Sequence, residues 1–247
     1  MRYFLNFSYL GKNYHGWQIQ PNATSVQEIL QDRVSKILGV TTILTAAGRT
    51  DTGVHAKQMT AHFDTEIEIR SDFVYRINAF LPQDIAVQSI KQVKKEAHAR
   101  FDAIERTYQY FIHYQKNPFL SEVSWYWNYQ KLDVNKMNEA AEILYEMTDF
   151  TSFAKLHTDN KTNICQVKTA KWIQQNENLI FTICADRFLR NMVRSIVGTL
   201  VEVGSGKLSK SDFKEIIVKK DRKFAAASAP AHGLFLLDVK YPDELFI

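Results

Sequence analysis

The chain has 247 residues, 45% of them apolar and 23% charged, enough to bury a substantial core in one large domain or two modest ones. A formal net charge of +4 and a pI near 8.9 are only mildly basic, and residues 1–104 carry 12 Lys and Arg against 10 Asp and Glu, so any polyanion-binding surface must be assembled by folding. The two cysteines, Cys165 and Cys184, have no C-x-x-C spacing, no apolar run nears the ~20 residues that span a bilayer, and no signal-peptide pattern follows Met1; a cytoplasmic protein with no membrane segment, zinc site or disulfide framework is expected.

Arg2–Tyr9 alternates apolar and polar residues and reads as a strand. A turn rich in Gly and Asn follows. A helix then opens near Ser25, where Glu28 completes a capping box and Val26, Ile29, Leu30, Val34, Ile37 and Leu38 share a face. Strands are expected at 42–47 and 57–65, a short helix at 72–80, and a strand at Ile85–Val93. The second half repeats this rhythm: a strand at 106–114, a helix at 134–147, strands at 162–173 and 179–185, helices at 188–203 and Lys210–Val218, and a closing strand at 234–239. Two strand-helix-strand halves predict an α+β fold with two related subdomains, 1–104 and 105–247.

The segment Ala46-Ala47-Gly48-Arg49-Thr50-Asp51-Thr52-Gly53-Val54-His55-Ala56 is the most informative. Gly48 and Gly53 bracket a tight connection between two strands, with a guanidinium and a carboxylate two positions apart between them. Glycine permits positive φ and close approach of a ligand. Taken alone, the same loop fits a hairpin in which Asp51 caps its own turn.

The stretch Arg187-Phe188-Leu189-Arg190-Asn191-Met192-Val193-Arg194 opens a helix apolar over a very wide arc. Arg187, Arg190 and Arg194 share the remaining stripe at i, i+3 and i+7. Arginines at the rim of a buried helix need carboxylate or phosphate partners, unless they snorkel to solvent. On the strand at 106–114, alternation puts Arg106, Tyr108, Tyr110, Ile112 and Tyr114 on one face; Tyr110 and Tyr114 read as packing. His55 and His62 lack metal-ligand spacing, His15 sits in a Gly-flanked turn, and His98 and His157 have no evident partners. No phosphate-binding glycine motif occurs, so neither a metal nor a nucleotide cofactor is expected.

These segments together resemble the tRNA pseudouridine synthase A family. Gly48-Arg49-Thr50-Asp51-Thr52-Gly53-Val54-His55-Ala56 is similar to its signature loop, with Asp51 at the catalytic aspartate. The likeness continues through Gly11-Lys12-Asn13-Tyr14-His15-Gly16-Trp17-Gln18, Asn78-Ala79-Phe80-Leu81-Pro82, His98-Ala99-Arg100-Phe101-Asp102-Ala103, Arg106-Thr107-Tyr108, Phe188-Leu189-Arg190-Asn191 and Ala231-His232-Gly233-Leu234. One departure is visible: where the family commonly places an arginine, Thr162-Asn163-Ile164-Cys165 stands.

The resemblance implies a pseudouridine synthase fold: two subdomains sharing a central antiparallel sheet with helices packed on it, and a catalytic cleft between them. It implies a homodimer, no cofactor, and a transfer RNA substrate whose uridines at positions 38, 39 and 40 of the anticodon stem-loop become pseudouridine. Asp51 is then the nucleophile and Arg194 its partner. Arg49 holds the flipped backbone or fills the vacancy, Tyr108 stacks on the uracil, and Leu234 closes the pocket. Lys12, Arg187 and Arg190 meet phosphates. Two rival readings are a noncatalytic RNA-binding protein, which would lack Asp51 or Tyr108, and a glycoside hydrolase, which would need Asp64 or Asp102 as a second carboxylate.

Overall fold

The computed structural model describes residues 1–155 and 162–247. It divides into two compact units, Met1–Ile104 with Leu236–Ile247, and Glu105–Phe235.

In the first unit β1 (Arg2–Tyr9) is followed by α1 (Val26–Leu38), β2 (Thr45–Ala46), β3 (His55–Asp64), α2 (Phe73–Phe80) and β4 (Ile85–Val93). Strand β1 pairs antiparallel with both β3 and β4, giving the order β4-β1-β3, with β2 short and antiparallel against β3. Leu5, Phe7, Met59, Ala61 and Phe63 are buried at alternate positions on one face of the sheet, and Phe4, on the opposite face, is buried with Val93, Ala97 and Ala99. Helix α1 begins as its sequence predicts: the Ser25 side chain accepts from the Glu28 amide, and the Glu28 carboxylate accepts from the Ser25 amide. Ser25→Ala is expected to lower stability by about 1 kcal/mol, read as a shifted urea midpoint at unchanged m-value.

The expected strand at 42–47 is cut to two residues because α1 takes its backbone groups. Ser35 Oγ accepts the Thr42 amide at 2.9 Å, Gln31 accepts the Leu44 amide at 3.1 Å, and Gln27 donates to the Leu44 carbonyl at 2.9 Å. These groups cannot also serve a sheet ladder.

The second unit holds β5 (Glu105–His113), β6 (Trp125–Tyr126), α3 (Val134–Ala141), α4 (Ile143–Glu146), β7 (Val167–Gln175), β8 (Asn178–Ala185), α5 (Met192–Gly204) and α6 (Lys210–Val218). Strand β8 pairs antiparallel with β5 and β7, whereas β6 lies parallel to β5, so the sheet is mixed rather than purely antiparallel. The stacked pair Trp172–Phe181 and the buried Phe150, Phe153, Phe213 and Leu200 form the core between strands and helices.

Three local expectations are corrected here. The helix at 134–147 is divided at Glu142, where bonding tightens to Tyr145 N–H on Glu142 O at 3.1 Å and the Tyr145 hydroxyl is held by Ala170 of β7. The strand expected from 162 starts at Val167, because the preceding residues bond to 148–150 instead: Phe150 N–H to Asn163 O and Cys165 N–H to Thr148 O. The helix expected from 188 starts at Met192, since Asn191 takes a left-handed φ of 65°.

The last strand, β9 (Leu234–Lys240), opens in the second unit, and from Leu236 it belongs to the first, beside β3. The sequence had placed the whole of 105–247 together. Tail contacts decide otherwise: Ile104 N–H donates to Lys240 O, Lys94 N–H to Leu245 O, and the Tyr241 hydroxyl to Ala99 O at 2.6 Å, while Phe4 packs on Tyr241 and Phe246. Among the described residues no helix is long and apolar enough to cross a membrane.

Candidate active site

Residues 47–54 join β2 to β3 and carry Arg49 and Asp51. Backbone bonds shape this loop. Ala47 N–H donates to Thr60 O at 2.8 Å, and Val54 N–H donates to Asp51 O at 3.1 Å, closing a turn in which Gly53 has the positive φ (79°) that the third position of a type II turn demands. Gly48, by contrast, has open space around it and no positive φ.

A second loop, residues 11–17, braces the first. Trp17 N–H donates to Thr50 O at 3.4 Å, the Tyr9 and Thr50 hydroxyls lie 2.9 Å apart, and Gly11 N–H donates to His55 Nδ1 at 2.9 Å. At Gly16, with φ of 83°, a Cβ would overlap the Thr50 carbonyl oxygen, so only glycine allows this approach. Arg49 and Lys12 are exposed, and Asp51 is half-buried. The bracing by Tyr9, Gly16 and Thr50 was not singled out from sequence; the repeated glycines of 11–16 were its signal.

In the second unit, Tyr108 of β5 is half-buried, and its ring meets Phe188 edge-on at 5.2 Å and 88°. The i, i+3, i+7 arginine stripe is not helical. Arg187 and Arg190 lie in the loop before α5, where Arg187 N–H donates to Asp186 Oδ1 at 2.7 Å and Arg190 O accepts Lys155 N–H at 3.0 Å; only Arg194 is on the helix. Asn191 Nδ2 donates to Ser228 Oγ at 2.7 Å, which holds the left-handed residue that delays the helix start. Arg194 is half-buried and Nε donates to Ala229 O at 2.8 Å. Leu234 is buried at the first position of β9, and Arg190 is exposed.

Two groups that feel this arginine are shifted toward their neutral forms. Burial pushes the Tyr110 phenol well above the usual tyrosine range, with Arg194 opposing. Burial likewise lowers His232, a hydrogen bond to the Ser124 backbone opposes it, and Arg194 lowers it further. The strand tyrosines read as packing do pack: Tyr110 is fully buried and the Tyr114 hydroxyl accepts the Leu132 amide.

Arg49, Asp51 and Lys12 thus sit on the braced loops of the first unit, and Tyr108, Arg187, Arg190, Arg194 and Leu234 in the second. The other candidates are engaged locally. Asp64 forms a bidentate pair with Arg2, and Asp102 accepts the His98 amide, so each carboxylate that the hydrolase reading would draw on is engaged locally. His62 Nδ1 accepts the Ala99 amide, and burial, then His98 and Arg2, push its pKa down to about 4. Asn163, at the departure from the family pattern, donates to Thr151 Oγ1 at 3.0 Å. His157 lies outside the described residues.

A family model described as tRNA pseudouridine synthase matches residues 6–102 and 140–242. The chain belongs to that family, a family of isomerases that convert uridine to pseudouridine. It is 54% identical over 248 residues to the tRNA pseudouridine synthase A of Bacteroides fragilis, covering 99% of this chain and 98% of that one. Identity to the proteins of the same name from Bacteroides thetaiotaomicron and Azobacteroides pseudotrichonymphae is 51% over 249 and 246 residues, covering 99% of this chain in each case and 92% and 98% of theirs.

Proposed function

We propose that this protein isomerises uridine to pseudouridine in the anticodon stem-loop of transfer RNA, at positions 38, 39 and 40, with Asp51 as the nucleophile. The observation that carries this reading is family membership along nearly the whole chain, with Asp51 displayed half-buried on a loop that backbone bonds and a second loop hold. The target positions follow from the resemblance in the signature segments.

The chemistry suits a single acid. The reaction breaks the C1′–N1 bond and forms a C1′–C5 bond; the C5 proton leaves and N1 gains one, with no change of redox state. A base within a stem must first leave the stack, at a cost of a few kcal/mol. Arg49, exposed beside Asp51, holds the flipped backbone or fills the vacancy. Arg194 pairs with Asp51, Tyr108 stacks on the uracil, and Leu234 lines the pocket. Lys12, Arg187 and Arg190 contact phosphates, so binding weakens steeply with salt. Two chains form a homodimer, as the resemblance implies. The enzyme works in the cytoplasm, consistent with two buried free cysteines, of which burial pushes the Cys165 thiol up to about 12.

The direct test incubates purified protein with an unmodified tRNA transcript, without added metal or nucleotide, and maps pseudouridine. Product confined to positions 38–40 is expected. Product elsewhere in the tRNA would remove the anticodon assignment, and none at all would remove the activity.

A further inference from the structure

Arg194 is tied to a strap formed by residues 229–233. Besides its Nε bond to Ala229 O, its own carbonyl accepts Ala229 N–H at 2.9 Å, so one residue of the strap is bonded to both ends of the arginine. The strap is anchored again one residue on. The Tyr110 hydroxyl donates to Pro230 O at 2.8 Å, and a Cβ on Gly233 would lie 2.6 Å from Tyr110 Cζ, so the turn closes directly against the phenol ring. His232 bonds the Ser124 backbone, and Ser124 Oγ lies 2.9 Å from His113 Nδ1.

Pro230 makes these two anchors mechanically dependent. Its ring locks φ, observed at −52°, so the orientation of the Ala229 carbonyl relative to the Pro230 carbonyl varies only through ψ of Pro230. A bond that fixes the Pro230 carbonyl therefore also limits the Ala229 carbonyl, the acceptor that aims Arg194. Tyr110 has no exposed surface, so its hydroxyl has no water to fall back on, and its ring is wedged edge-on against Trp125 at 6.3 Å.

We propose that Tyr110 is a positioning residue for the isomerisation: through Pro230 and Ala229 it sets the direction of the Arg194 guanidinium, without touching substrate itself. This rests on the reading of Arg194 as the partner of Asp51. It gives a distinct task to each of the two alternating tyrosines of β5, Tyr108 at the base and Tyr110 behind the arginine.

The test is a kinetic cycle on the unmodified transcript with Tyr110→Phe, Arg194→Lys and the double variant, each corrected for the folded fraction. Lysine keeps the charge but loses the Nε donor and the planar fork. Tyr110→Phe is expected to lower kcat about tenfold while KM for tRNA stays within about twofold, because a misaimed group slows chemistry more than binding. The double variant is expected to be no more than about twofold slower than Arg194→Lys, since both changes loosen one tie. Pro230→Ala, which keeps both carbonyls but frees φ, is expected to reproduce the kcat loss and serves in place of Tyr110→Phe should that variant fold poorly.

Losses that multiply in the double variant, or an unchanged kcat in Tyr110→Phe, would overturn the proposal while leaving Arg194 in place. An unchanged kcat in Arg194→Lys would instead remove the arginine reading and this inference together.

Discussion

Asp51→Asn is expected to bind tRNA within about twofold of the wild type and to lose turnover by at least about a thousandfold, because the amide keeps the shape of the carboxylate but cannot act as a nucleophile. The loop gives the physical reason that binding survives. Its form depends on backbone groups of residues 47, 50, 51 and 54, on the Tyr9–Thr50 hydroxyl pair and on the turn at Gly53, none of which the substitution replaces. Binding is read by fluorescence anisotropy, and turnover by tritium release from C5 of labelled uridine. Pseudouridine formation at an undiminished rate would show that another group attacks.

Removal of the Arg194 side chain has a double cost. Arg194→Ala leaves the Ala229 carbonyl without its Nε donor, which is expected to lower stability by about 1–3 kcal/mol, seen as a reduced urea midpoint. On the proposed pairing with Asp51, the same change is expected to lower kcat about a hundredfold or more. The two effects are separable: assays well below the unfolding transition report chemistry alone. A variant matching the wild type in both would show that the arginine neither holds the strap nor serves Asp51.

The candidate loop was legible in sequence, where it depends on residue type and close spacing. Arg49, Asp51 and Gly53 stand within five positions, and the turn from Asp51 to Val54 needs only a glycine at its third corner. The arginine stripe was misread because helical periodicity was extended through Asn191. That residue is left-handed, and a partner 37 positions away, Ser228, holds it there; no local pattern announces such a bond. Tyr110 was correctly read as packing, but its link to Pro230 spans 120 positions and was invisible to alternation alone.

Short-range physics settled what the sequence could determine by itself: β1 and β4 from alternation, α1 from its capping box, α6 from its apolar period, and the glycine turn beside Asp51. Each depends on interactions within a few residues, whose geometry follows from backbone sterics and side-chain type. Tertiary structure alone decided that β9 and the tail pack with the first unit, that β2 is cut short by side chains of α1, and that Arg194 bonds to Ala229, 35 residues further along. Those outcomes turn on which of several chemically similar donors and acceptors come within bonding distance, and only the folded chain selects among them.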